Sequence, residues 1–124
     1  MPIKRTLEKN AINYDIAKNG FMAVERFNQT MASRMRYGMI LMDLEMPLMN
    51  GFEATEHIRN AETESNYPKT YICGLSASTD KETEAKCLRY GMDNYLSKPL
   101  QMDILLKIIK EQFSIIEHHN SNKT

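Results

Sequence analysis

Three side chains in this chain of 124 residues carry groups that suit phosphoryl chemistry: the carboxylate of Asp43, the hydroxyl of Ser76 and the ammonium of Lys98. Each stands at the end of a short run that reads as a strand. Met39-Ile40-Leu41-Met42 leads to Asp43, Thr70 to Leu75 leads to Ser76, and Asn94-Tyr95-Leu96-Ser97 leads to Lys98. Pro47 and Asn50-Gly51 follow the first run, and Pro99 stops the last. The chain between these ends is long enough for one strand–helix–strand crossover each time, so parallel strands deliver all three groups to one sheet edge. That edge is where open α/β sheets bind ligands. Taken alone, Asp43 is compatible with a metal ligand, a base, a phosphoryl-accepting nucleophile or a plain strand-end cap. Ser76 alone fits a helix N-cap region, and Lys98 alone fits a solvated surface lysine. Taken together they describe one reaction. Asp43 attacks phosphorus and becomes an acyl phosphate, and Lys98 pairs with a phosphoryl oxygen as a compact positive charge. The Ser76 hydroxyl and the Ala77 backbone N–H hold the remaining oxygens. Mg²⁺ normally neutralises charge in such transfers.

The elements that must position these groups follow from periodicity. Ile3 and Leu7 share one helix face, and Tyr14 to Ala17 reads as a strand ended by Asn19-Gly20. Ala23, Val24, Phe27 and Met31 return to helical spacing. A helix from Phe52 to about Thr63 follows the Asp43 strand. Asp80 to Tyr90 is a helix leaving through Gly91, and a last helix carries Leu100, Ile104, Leu105, Ile108, Ile109 and Phe113. Strict alternation of helix and strand predicts an α/β fold: a parallel sheet of four strands with helices on both faces. No repeat or linker interrupts it, so residues 1–116 form one domain and residues 117–124 a polar, frayed tail.

Bulk properties exclude several classes. Sixteen basic and sixteen acidic residues cancel, which argues against bulk binding to nucleic acid or to an acidic membrane. No apolar run is long enough to span a bilayer, and the first residues lack the apolar stretch of a signal peptide. Cys73 and Cys87 make no disulfide framework, so a reduced, cytoplasmic setting is the expectation. The ten methionines read as packing material.

Ile40 to Gly51, Leu75-Ser76-Ala77 and Gly91 to Pro99 closely resemble the receiver domains of two-component response regulators, above all those attached to hybrid histidine kinases. The resemblance covers about Met1 to Phe113. It implies a flavodoxin-like fold and phosphoryl transfer to Asp43 from a histidine kinase or a histidine phosphotransfer protein. It matches Ser76 to the switch hydroxyl, Tyr95 to the aromatic switch position and Lys98 to the salt-bridging lysine. Pro99 matches the proline that commonly follows a cis peptide bond, and Gly51 belongs to the motif after Asp43. The Glu45 carbonyl matches a Mg²⁺ ligand, and its side chain stands where phosphoryl lifetime is tuned. Members of this family are signalling domains rather than enzymes.

This chain departs from the family pattern in one respect. Receivers open on an apolar strand ending in two adjacent acids that hold Mg²⁺; this sequence has neither, and Asp15 lies inside a strand-like run rather than at its end. The expectations are weak Mg²⁺ binding, slow phosphorylation, and sheet edges open to self-association. Intact downstream motifs favour truncation over a degenerate domain. Two other functions compete. One is a binding module that uses the fold without phosphorylation. The other is a haloacid-dehalogenase-like phosphatase, which would carry a second Asp where Glu45 stands.

Overall fold

In a computed structural model, residues 2–78 and 80–121 are described. Among them eight elements follow in order: α1 (Pro2–Lys9), α2 (Gly20–Ala32), β1 (Ile40–Asp43), α3 (Gly51–Glu64), β2 (Ile72–Ser76), α4 (Lys81–Tyr90), β3 (Asn94–Ser97) and α5 (Met102–Ser121); helix and strand alternate from α2 onward. The strands form one parallel sheet in the order β1-β2-β3. Asp43 lies opposite Leu75, and Ser76 opposite Ser97. The strand ends therefore stack at one edge.

Alternation along β1 divides the core into two layers. Ile40 and Met42 face a cluster with Phe27, Ala54, Ile58 and Cys87, which α2, α3 and α4 supply. Met39 and Leu41 face Leu7, Leu105 and Ile109 from α1 and α5. Side chains two apart on a strand share a face, so one short strand serves both layers. β2 lies between its two neighbours and is buried throughout, as a doubly covered parallel strand requires.

The expected strand from Tyr14 to Ala17 is not one: among the described residues three strands form, not four. The segment faces β1 across an open groove. A strand exists by pairing backbone groups, and across that gap it has no ladder to join. Side chains tie it down instead. Tyr37 Oη donates to Asp15 Oδ2 at 2.7 Å, and Tyr14 Oη to Glu8 Oε1 at 2.7 Å.

Helix ends follow their capping residues. Asn19 caps α2 by accepting from the Met22 N–H at 2.9 Å. Asn50 and Glu53 form a reciprocal capping box at the start of α3. Gly91 leaves α4 in the left-handed conformation. α5 runs to Ser121, so the backbone of 117–121, expected in a frayed tail, is helical. Neither Pro nor Gly follows Pro99 to break it. The rest of that tail, 122–124, lies outside the described residues. Among the described residues no helix is long and apolar enough to cross a membrane.

Candidate functional site

The site lies at the carboxyl edge of the sheet. Asp43 ends β1, Ser76 ends β2, and Lys98 follows β3. Lys98 Nζ donates to Asp43 Oδ2 at 3.1 Å and to Oδ1 at 3.3 Å, across two strands. Each of the two side chains is 36% exposed, which leaves the carboxylate open to a reactant. The Glu45 N–H donates to Asp43 Oδ1 at 2.9 Å, so the loop after β1 folds back and orients the acid. An in-register backbone bond, Lys98 N to Ser76 O at 2.7 Å, fixes the lysine stem beside β2. The Lys98–Pro99 peptide is cis.

Ser76 is buried, and its Oγ accepts from the Ser78 N–H at 3.1 Å. Ala77 is exposed beside it. The Glu45 side chain points to solvent. Tyr95 packs against the α2–α4 layer of the core. Its hydroxyl is buried and makes no hydrogen bond among the described residues. Burial raises the phenol pKa; the nearby Ser76 hydroxyl works the other way without reaching hydrogen-bond geometry.

Gly51 is required by close approach rather than by its φ. A Cβ there would lie 2.4 Å from the Asp43 carbonyl oxygen, so α3 could not begin directly beneath the acid. Gly20 plays a similar part from the other side. Its N–H donates to Met49 O at 3.1 Å, and a Cβ would stand 2.3 Å from that oxygen. Sequence reading gave Gly20 only a strand-ending role, since a loop-to-loop contact leaves no periodic signal.

Mg²⁺ is a hard ion that takes several oxygen ligands, usually including carboxylates. Among the described residues no group of three His, Cys, Asp or Glu side chains could hold a metal. Asp43 is already engaged by Lys98 and by the Glu45 N–H. This donor set does not match the ion.

Residues 1–110 match the family model described as response regulator receiver domain. The chain is 35% identical over 121 residues to the peroxide stress-activated histidine kinase mak1 of Schizosaccharomyces pombe, covering 98% of this chain and 7% of that protein. It is 32% identical over 120 residues to hybrid signal transduction histidine kinase K of Dictyostelium discoideum, covering 94% of this chain and 9% of that protein. The chain thus spans under a tenth of these relatives. Among solved structures, it superposes with a TM-score of 0.78 and 31% identity on the Saccharomyces cerevisiae co-crystal structure of the histidine phosphotransfer protein Ypd1 with the receiver domain of its downstream response regulator, covering 89% of this chain and 77% of that one. The receiver domain of a Pseudomonas aeruginosa sensor histidine kinase, solved with magnesium in its active-site cleft, gives a TM-score of 0.73 at 29% identity, covering 90% and 85%. The sheet edge that joins Asp43 to Lys98 and the family match over nearly the whole chain agree: the chain belongs to the response regulator receiver domain family.

Proposed function

We propose that Asp43 accepts a phosphoryl group from a phosphohistidine of a histidine kinase or a histidine phosphotransfer protein, in the cytoplasm and as part of a phosphorelay. The observation that carries this reading is the Lys98 ammonium held 3.1 Å from Asp43 across the sheet edge. An Asp43 oxygen attacks phosphorus, the P–N bond to the imidazole breaks, and the imidazole leaves with its electron pair and takes up a proton. Lys98 swings from the carboxylate onto a phosphoryl oxygen. The Ser76 hydroxyl and the Ala77 N–H take the others, and both stand beside the strand end where those oxygens arrive. Drawing Ser76 away changes what Tyr95 faces, because the phenol lies buried next to it. The added charge is thereby read out at the surface of α4, β3 and α5. The chain acts as a signalling switch and not as a turnover enzyme.

Among the described residues no three acids gather at this edge, which makes Mg²⁺ binding weak and phosphorylation slow in this chain. The same poverty of acids favours a second reading, a binding module that engages its partner without phosphorylation. Labelling with acetyl phosphate, followed by intact-protein mass, separates the two. The phospho-accepting reading expects slow, acid-stable and base-labile label that Asp43→Asn abolishes. Label that survives Asp43→Asn, or none at all even with an acidic first strand restored, sinks it. We also infer that the open edge of β1 supports self-association.

A further inference from the structure

Five described residues have positive φ. Ala11, Arg34, Asn66 and Gly91 each stand just past a helix end, where left-handed exits are common. Leu48 is the exception: its φ is +70°, in the loop between Asp43 and α3. The Met49 N–H donates to Pro47 O at 2.8 Å, closing a three-residue ring about Leu48. A positive φ inside such a ring is the rarer, strained form of γ-turn. A branched side chain in that conformation persists only where the surroundings impose it, and such positions cluster at functional sites.

The surroundings impose it from below. Met49 is buried, and its carbonyl is pinned by the Gly20 N–H. Met49 points in, so Leu48 points out, and it is 80% exposed. Phe21 follows the pinning glycine and is 56% exposed. Two large apolar side chains thus flank one backbone contact beside the candidate site. Neither contributes to the core that holds the turn.

The chemistry names the occupant. A small phosphodonor reaches Asp43 without touching the rim. A protein donor must bring its phosphorus within about 3 Å of an Asp43 oxygen, and its surface then lies over the loop that follows Asp43. We propose that Leu48 and Phe21 are the apolar anchor on which a phosphohistidine-bearing protein docks. This rests on the reading of Asp43 as phospho-acceptor and adds which residues select the donor. A second copy of this chain and a free apolar peptide are the competing occupants.

Ypd1 serves as the probe, titrated calorimetrically into the chain and its variants. Leu48→Asp and Phe21→Ser should each weaken binding about tenfold or more, while Met35→Ser, exposed in the loop just past the far end of α2, stays within about twofold. Leu48→Gly separates docking from folding: it relieves the turn, so the unfolding temperature holds or rises while binding still weakens. Equal affinity in all variants, or no binding by the unmodified chain, overturns the proposal, as does loss of binding only in variants that unfold. If Leu48→Asp instead abolishes self-association and leaves Ypd1 binding intact, the anchor belongs to a second copy. Acetyl phosphate labelling of the unmodified chain reports separately on Asp43, so a failed acceptor and a failed docking surface give different results.

Discussion

Among the described residues the Tyr95 hydroxyl is buried without a partner, and a polar group in that state costs roughly 1–3 kcal/mol. Tyr95→Phe should therefore leave urea stability unchanged or raise it by up to about 1 kcal/mol, while altering the response to phosphorylation. A loss of stability would show that the hydroxyl is bonded after all. The cysteines give a second residue-scale expectation. Cys73 and Cys87 are fully buried, and burial, helped by Cys87, pushes the Cys73 thiol from its ordinary 9.0 up to about 12. The thiolate is the reactive form, so neither thiol should react with a disulfide reagent at pH 8 until the chain unfolds. The raised pKa also sets a direction. Below 9 both states keep the proton and the contribution is complete; between 9 and about 12 the unfolded chain ionises first, so stability falls as pH rises through that window. A urea midpoint that stays flat from pH 9 upward would contradict the burial of Cys73.

At the scale of elements, two of the ion-pair sites differ in kind. Lys98 and Asp43 are half-open to water, so their pair contributes at most about 1 kcal/mol. Arg59 is the reverse case. Its guanidinium donates to Glu62, to the Thr70 and Gly91 carbonyls and to Asp93, all at 2.8–2.9 Å. Glu62 and Asp93 in turn accept from the Thr70 and Ile72 N–H groups. This network clamps the end of α3 to the start of β2 and to the turn after α4, at the opposite end of the sheet from Asp43. Arg59→Met leaves Glu62 buried without its cation, and we expect a loss of about 3 kcal/mol in urea unfolding, against less than about 1 kcal/mol for Lys98→Met. Equal losses would refute the distinction. The contrast also marks what sequence can disclose. Asp43, Ser76 and Lys98 were legible because each closes an apolar run before a turn signal, and parallel strands end together. Arg59 and Glu62 were not, since two charges three apart on a helix look like a solvated face. Only the close approach of β2 and the Gly91 turn converts them into a clamp. Leu48 escaped notice for a related reason: a single exposed leucine in a loop carries no period.

At the scale of the whole molecule, the inferred self-association rests on the open edge of β1. Ile40 and Leu44 turn their N–H groups toward β2, bonding Tyr71 O at 2.8 Å and Leu75 O at 3.0 Å. Alternation then turns those of Leu41 and Asp43 the other way, toward a groove of about 380 Å³. Leu7 and Leu105 wall it on one side, Phe27 and Ile58 on the other, and Tyr14 and Ile16 form its far rim. The segment carrying Tyr14 and Ile16 has strand-like alternation, yet alternation supplies only faces; hydrogen bonds across the groove are what it lacks. A sheet edge with free backbone groups between two apolar walls is a template for an extended segment of another chain. Sedimentation velocity should accordingly show the apparent mass rising with concentration. Ile16 is 46% exposed at the rim, so Ile16→Lys can place a charge at the mouth of the groove with little loss of packing. That substitution should shift the association to higher concentration and leave the unfolding free energy within about 0.5 kcal/mol of the parent. Monomer at every concentration, or association indifferent to Ile16→Lys, would mean that the walls close over the edge in solution and leave no slot to fill.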